Sequence, residues 1–250
     1  MRPTDLPFPR NPAYGSGSCR RLIRITGHPG AVDAHLSDNF HEFRCRIEHD
    51  GGTVVKVEGA AIRIPTTGCP QAVTILRELE GRPIDVDGQT LYSGRQAFRH
   101  CTHLYDLAVI AIRHATLPQR SVVYDAIVPD ETDGPVSISI RHDDRVVHRW
   151  LVREGIILEP YALLGRTLDK GFAAWARDAF CQGDDLETAM VLARTWLIAI
   201  GRRYLKEGSA GRLITGNDAL HGRCFAYRLP ETAKATYTAG LSRSSSDLEI

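Results

Sequence analysis

Two short segments of this chain bring thiols and imidazoles together at helix-start signals. In Gly68-Cys69-Pro70 the proline suits the first helical position, which makes Cys69 the expected N-cap. A thiol there faces unpaired N–H groups and the positive end of the helix dipole, an arrangement that favours thiolate. The second segment, His100-Cys101-Thr102-His103-Leu104-Tyr105-Asp106, is denser. Thr102 is its expected N-cap, so Cys101 and His103 flank a helix start. His103 and Asp106 stand three apart and share a helix face. Asp106 would orient the imidazole, and His103 would move protons as general acid or base. Tyr105 would donate a proton or position a phenol. The same residues would also make an ordinary capped helix over a packed thiol.

Weaker candidates surround these two. His35, Asp38 and His41 precede the first long strand, where they either line a cleft or face solvent. His221-Gly222-Arg223-Cys224 would reach the site from the C-terminal side, and Cys19, Cys45 and Cys181 read as packing thiols. Cys69, Cys101, His100 or His103, and Asp38 are chemically acceptable ligands for zinc or iron, although their spacing matches no local metal pattern. The chain holds no GxGxxG, no phosphate-binding GxxxxGK and no GxSxG motif, so no cofactor is expected.

Positioning these residues requires a hairpin and two helices. Phe43, Cys45 and Ile47 alternate with charged neighbours, as a half-buried strand demands, and Asp50-Gly51-Gly52 turns the chain into a strand over Val54–Ile64. A helix follows Pro70 and stops at Gly81, and a second runs from Thr102 to about Ala115. A polar stretch with Asp85, Asp87 and Gly88 lies between them. A short strand over Leu22–Thr26 precedes the hairpin. After Pro118 the spacing predicts strands over Ser121–Val128, Val136–Arg141, Arg145–Val152 and Ile156–Leu158. Helices over Asp169–Phe180 and from Asp184 to about Lys206 complete the set. Strands in runs, then helices in runs, predict an α+β fold: antiparallel sheet with helices on one side. The divisions are a flexible arm (1–18), a hairpin-plus-helices unit (19–117), antiparallel strands followed by two helices (118–232), and a loose tail (233–250). The two central units are expected to pack as one globule.

Composition narrows the function classes. Thirty-one Lys and Arg against 30 Asp and Glu leave a formal charge of +1, without the basic footprint of a nucleic-acid binder. Arg20-Arg21 and Arg202-Arg203 read as solvated element ends. No apolar run approaches the ~20 residues needed to span a bilayer, and the first residues lack the apolar core of a signal peptide. A cytoplasmic protein acting on a small molecule, with its six cysteines as thiols, is therefore expected; a homodimer is compatible with this.

Several of these motifs resemble those of a bacterial domain-of-unknown-function family. They are Phe40-His41-Glu42-Phe43, His49-Asp50-Gly51-Gly52, Gly68-Cys69-Pro70, Leu79-Glu80-Gly81 and Cys101-Thr102-His103-Leu104, with Cys224-Phe225-Ala226-Tyr227-Arg228 near the end. The likeness covers most of residues 20–230. It implies a place in bacterial catabolism, including aromatic degradation. A remoter resemblance is to iron–sulfur scaffold proteins of the NifU/IscU type, carried by Gly68-Cys69, Leu76, Gly81, His100-Cys101 and Leu107-Ala108. It implies a shared N-terminal fold in which Cys69 faces Cys101, with His100 beside them and Asp38 near the missing ligand. No cysteine stands near Asp38 and Pro70 replaces the usual glycine, so it implies a converted site.

Three functional expectations follow. The first is a cofactor-independent lyase or isomerase using His103, Asp106, Tyr105, Cys101 and Cys69. The second is a metal-binding or iron–sulfur-related protein. The third is a non-catalytic binding or assembly module built on the strands of 121–158.

Overall fold

The computed structural model describes residues 6, 8–86, 91, 99–216, 220–222, 224–228 and 232–250. Asp87, Gly88 and Arg223 lie outside them. Eight strands form one antiparallel sheet: β1 (Ser18–His28), β2 (Ala31–Asp38), β3 (Glu42–His49), β4 (Val54–Arg63), β5 (Ser121–Pro129), β6 (Val136–His142), β7 (Arg145–Arg153) and β8 (Ile156–Glu159). Their spatial order is β4-β3-β2-β1-β5-β6-β7-β8. Each half is a meander, and β1 joins them by pairing with β5, Ile23 opposite Tyr124. The two central units thus share one sheet, and the α+β class holds.

β1 is longer than the expected Leu22–Thr26. Arg20 and Arg24 look like breaks, yet each has a partner on the outer face. Arg20 holds Asp125 at 2.8 Å and Arg24 holds the Ile250 carbonyl at 2.9 Å. β2 was not expected at all.

Among the described residues the α-helices are α1 (Gln71–Ile75), α2 (Thr102–His114), α3 (Phe172–Ala179) and α4 (Asp184–Ala199). α2 lies on β2 and β3, while α4 crosses β1, β5, β6 and β7. Ile23, Ile25, Val122, Tyr124 and Ala126 of the sheet pack with Leu107, Ala111, Leu192 and Trp196 of the helices. Each fully buried Leu or Ile contributes ~1.5–3 kcal/mol, so this layer dominates the stability. Buried Glu187 ties it together, accepting from Arg113 at 2.5 and 2.8 Å and from the Tyr124 hydroxyl. No helix among the described residues is long and apolar enough to cross a membrane.

Both chain ends are docked where looseness was expected. Of the first 18 residues, 1–5 and 7 are not described. Phe8, however, is buried against Tyr204 and Tyr237, and Asn11 N–H donates to the Arg203 carbonyl at 3.0 Å. The C-terminal segment crosses the outer face of the sheet, where Arg243 N–H donates to the Asn39 carbonyl at 2.9 Å and Leu248 is buried. Arg21 is likewise buried, not solvated, and Arg202 is paired with Asp130 at 2.6 Å.

Candidate functional site

The site is built on the turn between β2 and β3. Asp38 N–H donates to the His41 carbonyl at 2.8 Å. The Asp38 side chain turns back on the loop, and its Oδ1 accepts from Phe40 N–H and His41 N–H, both at 2.9 Å. That is an Asx turn, the reason aspartate suits this position. The same oxygen lies 2.9 Å from His41 Nδ1. β1–β2 pairing sets Arg21 opposite Asp38, and Arg21 donates to Asp38 Oδ2 from Nη2 at 2.6 Å and Nε at 3.2 Å. Arg63, closing β4, donates Nη2 to the carbonyls of Asp38 (2.7 Å) and His41 (3.0 Å). Turn, carboxylate and imidazole are therefore held from three strands.

An ionised carboxylate only accepts, so His41 Nδ1 carries the proton and Nε2 is left as a basic lone pair. His103, in the first turn of α2, stacks on His41 with ring centroids 4.0 Å apart and 29° between planes. Asp38, His41 and His103 bring their ligand-type atoms within 4.8 Å of one another. His41 and His103 line a cavity of about 660 Å³, within the ~300–1,000 Å³ typical of small-molecule sites. Phe40, Phe43, Tyr227 and Tyr237 give its wall an aromatic character, and Cys69, Cys101, Cys224 and Lys206 also reach it.

Burial alone would raise the Asp38 carboxyl. The facing His41, its hydrogen bond and Arg21 outweigh this and hold Asp38 well below the usual carboxylate range. His41 is lowered by burial, against the pull of Asp38. His103 is driven well below the ordinary histidine value by burial, then by His41 and Arg21. Each imidazole disfavours charge on the other, so the stacked pair accommodates one proton at a time.

Cys69 and Cys101 both line the cavity, and charge on Cys69 would raise the Cys101 thiol further. Their thiolate character is the correction. The N-cap of α1 is Pro70, so Cys69 stands one residue outside a helix of five residues, with Sγ 3.4 Å from Thr66 Oγ1. Burial raises the Cys69 thiol and pushes Cys101 well above its ordinary value. Cys101, not Thr102, is the N-cap of α2, and it makes no side-chain capping bond. Cys224 also lines the cavity and is raised to about 11 by burial. Cys181, expected to pack, is exposed. Iodoacetamide at pH 7.5 should therefore modify Cys181 first and leave Cys69 and Cys101 intact in the folded protein, as read by peptide mass spectrometry. Rapid labelling of Cys69 would contradict this assignment.

The other expected residues point elsewhere. Asp106 does not orient His103; it pairs with Arg194 of α4 at 3.0 Å. Three residues along a helix put Asp106 on the side facing α4, whereas His103 faces the β2–β3 turn. Tyr105 is buried, donates its hydroxyl to the Leu91 carbonyl and is raised to about 12 by burial, which suits neither proton donation nor contact with a ligand. His100 stacks on Tyr105 with centroids 4.5 Å apart and does not line the cavity.

The expected metal set of Cys69, Cys101, His100 and Asp38 is not assembled among the described residues. The set that does cluster fits a metal poorly. Asp38 already receives five N–H donors, two of them from a guanidinium, and a carboxylate offers about four lone-pair sites. A cation bound there would also lie beside Arg21. Only the two imidazoles remain to coordinate it.

Two contributors, Arg21 and Lys206, were missed as site residues, and His41 stood only among the weaker candidates. For His41 the signal was in view, an Asp-x-x-His spacing at a strand end. For Arg21 and Lys206 no local signal exists, since β1 and the segment after α4 reach the site only through the tertiary fold. No family model, curated protein or solved structure matches the chain.

Proposed function

We propose that the protein is a cofactor-independent acid–base enzyme, a lyase or isomerase acting on a small aromatic molecule. The observation that carries this is the Asp38–His41 pair, whose imidazole is held in one tautomer with Nε2 uncommitted at a mainly apolar cavity whose wall includes Phe40, Phe43, Tyr227 and Tyr237. His41 Nε2 takes a proton from the substrate, and Asp38 stabilises the imidazolium that forms. The proton then returns to a different substrate atom, so the cycle needs no oxidant and no external acid. His103, stacked on His41, is the second group able to carry that proton. For a phenol bearing a hydroxyalkyl side chain, His41 takes the phenol proton and delivers it to the ring carbon that bears the side chain. The side-chain hydroxyl then gives its proton to His41 as the ring–side-chain bond breaks, its electron pair restoring the phenolate ring and a small carbonyl fragment leaving. The resemblance to a family linked to aromatic catabolism agrees with this reading.

The test is turnover by chelator-treated protein of phenols bearing hydroxymethyl or keto side chains, followed by mass spectrometry of the products. Because the folded pKa values of His41 and His103 lie below the ordinary 6.5, the base is neutral at pH 7. The rate should be flat around neutrality and fall only as pH drops below 6.5. Turnover that requires added metal or a nicotinamide would overturn the proposal.

A second reading, zinc or iron held by His41 and His103, is favoured by their clustering and opposed by the saturation of Asp38. Stoichiometric metal in purified protein, lost in a His41→Gln variant, would establish it. The binding-module alternative draws less support, because Val122, Tyr124, Ile138 and Ile140 of its strands are buried in the core.

A further inference from the structure

Lys206 stands out among the groups that line the cavity. Its ammonium lies 3.9 Å from the centroid of the Phe40 ring. Among the described residues it has no hydrogen-bond or ion-pair partner; of the other long basic side chains that line the cavity, Arg194 is paired with Asp106 and Lys170 is exposed to solvent. The carboxylate that acts on it electrostatically is Asp38, and that group is already saturated by Arg21, His41 and the turn. Gly201 makes the placement feasible: a Cβ at that position would come within 2.7 Å of Lys206 Nζ and 3.1 Å of the Phe40 ring. A cation withdrawn from water without a counter-ion is costly, and a ring face compensates only part of that cost. Burial accordingly lowers Lys206 to about 8. The missing partner is an anion that arrives with a ligand.

We propose that Lys206 is the anchor for an anionic oxygen on the substrate, so that the substrate class is an aromatic compound carrying a carboxylate or an ionised phenol. This rests on the acid–base reading of the same cavity. The ammonium over Phe40 and the Nε2 lone pair of His41 line one cavity, so an aromatic ligand can present its anion to Lys206 and its labile proton to His41. Cys69, Cys101 and Cys224 remain neutral and add no competing charge.

Calorimetric binding with matched probes tests this without any turnover. The probes are biphenyl-4-carboxylate against its amide, and 4-nitrophenolate at pH 8 against 4-nitroanisole. At least one anion is expected to bind the wild-type protein on the order of tenfold to 100-fold more tightly than its neutral partner. The acid arm and the phenol arm decide which oxyanion the site prefers. Lys206→Met should erase the preference. Gly201→Ala, which displaces the ammonium by crowding its flexible end, should reduce it, and a thermal melt confirms that each variant is folded. Anions that bind no more tightly than their neutral partners, or a preference that survives in K206M, overturn the proposal. His41→Gln keeps the preference although it removes the base, so failure of the anion site and failure of the catalytic reading give different results.

Discussion

His41→Gln is expected to lower kcat on the phenolic substrate class by about 10²–10⁴-fold, the usual contribution of a positioned general base. KM should change little, because the cavity walls stay in place and glutamine occupies a similar volume. The effect follows from one lone pair. Asp38 takes the Nδ1 proton of His41, at 2.9 Å, and leaves Nε2 as the basic atom. A glutamine amide at that point can still reach Asp38 but cannot accept a proton at neutral pH. His103→Gln should cost less, since among the described residues no carboxylate hydrogen-bonds to His103; its Nδ1 lies 3.3 Å from the Thr102 hydroxyl. If the two variants lose activity equally, the base is shared by the stacked pair. If H41Q retains wild-type kcat, His41 is not the base.

Asp38→Ala is expected to produce the largest loss of stability, about 3–5 kcal/mol by denaturant titration, because it leaves a buried guanidinium unpaired. Arg21 and Asp38 are both almost wholly buried, with side-chain exposures of 3% and 0%. The alanine also strips the acceptor from Phe40 N–H and His41 N–H, so the turn loses its internal bonds as well. Asp38→Ala combined with Arg21→Met should recover much of the loss, since the orphaned charge is then gone. A double variant no more stable than D38A would show that the turn bonds, not the ion pair, carry the effect. The pH dependence has a definite sign. Asp38 has a folded pKa depressed below its unfolded value, so its stabilisation is present at neutral pH and lost as pH falls through the folded value. His41 and His103 add to the acid sensitivity, since below 6.5 the unfolded chain takes up protons that the folded imidazoles resist.

How much of this was legible in the sequence depended on the range of the interactions involved. The alternation of Phe43, Cys45 and Ile47 and the turn at Asp50-Gly51-Gly52 located β3 and β4 to within a residue or so, because a two-residue period reports one buried face. The second meander was readable for the same reason. β2 was not, because Ala31–Asp38 is buried on both faces through much of its length and shows no clean alternation. The helix at Thr102 was predicted, yet the direction of its residues was not. A three-residue spacing shows that His103 and Asp106 can share a face, but which neighbours that face meets depends on where α4 and the β2–β3 turn lie.

The electrostatics of the thiols reversed for a similar reason. Sequence alone places Cys69 and Cys101 at helix starts, where the local dipole favours charge. Only the packed structure shows how deeply they are buried, and desolvation outweighs a partial dipole when the helix is as short as α1. By itself, then, the sequence determined the α+β class, most strands, the approximate positions of the helices and the neighbourhood of Cys69, Cys101 and His103. Tertiary structure decided which groups act, by setting β1 beside β2 so that Arg21 meets Asp38, by laying His103 on His41, and by bringing Lys206 over Phe40. Those contacts join residues far apart in the chain, and no local pattern encodes a partner that the backbone must first travel across the sheet to reach.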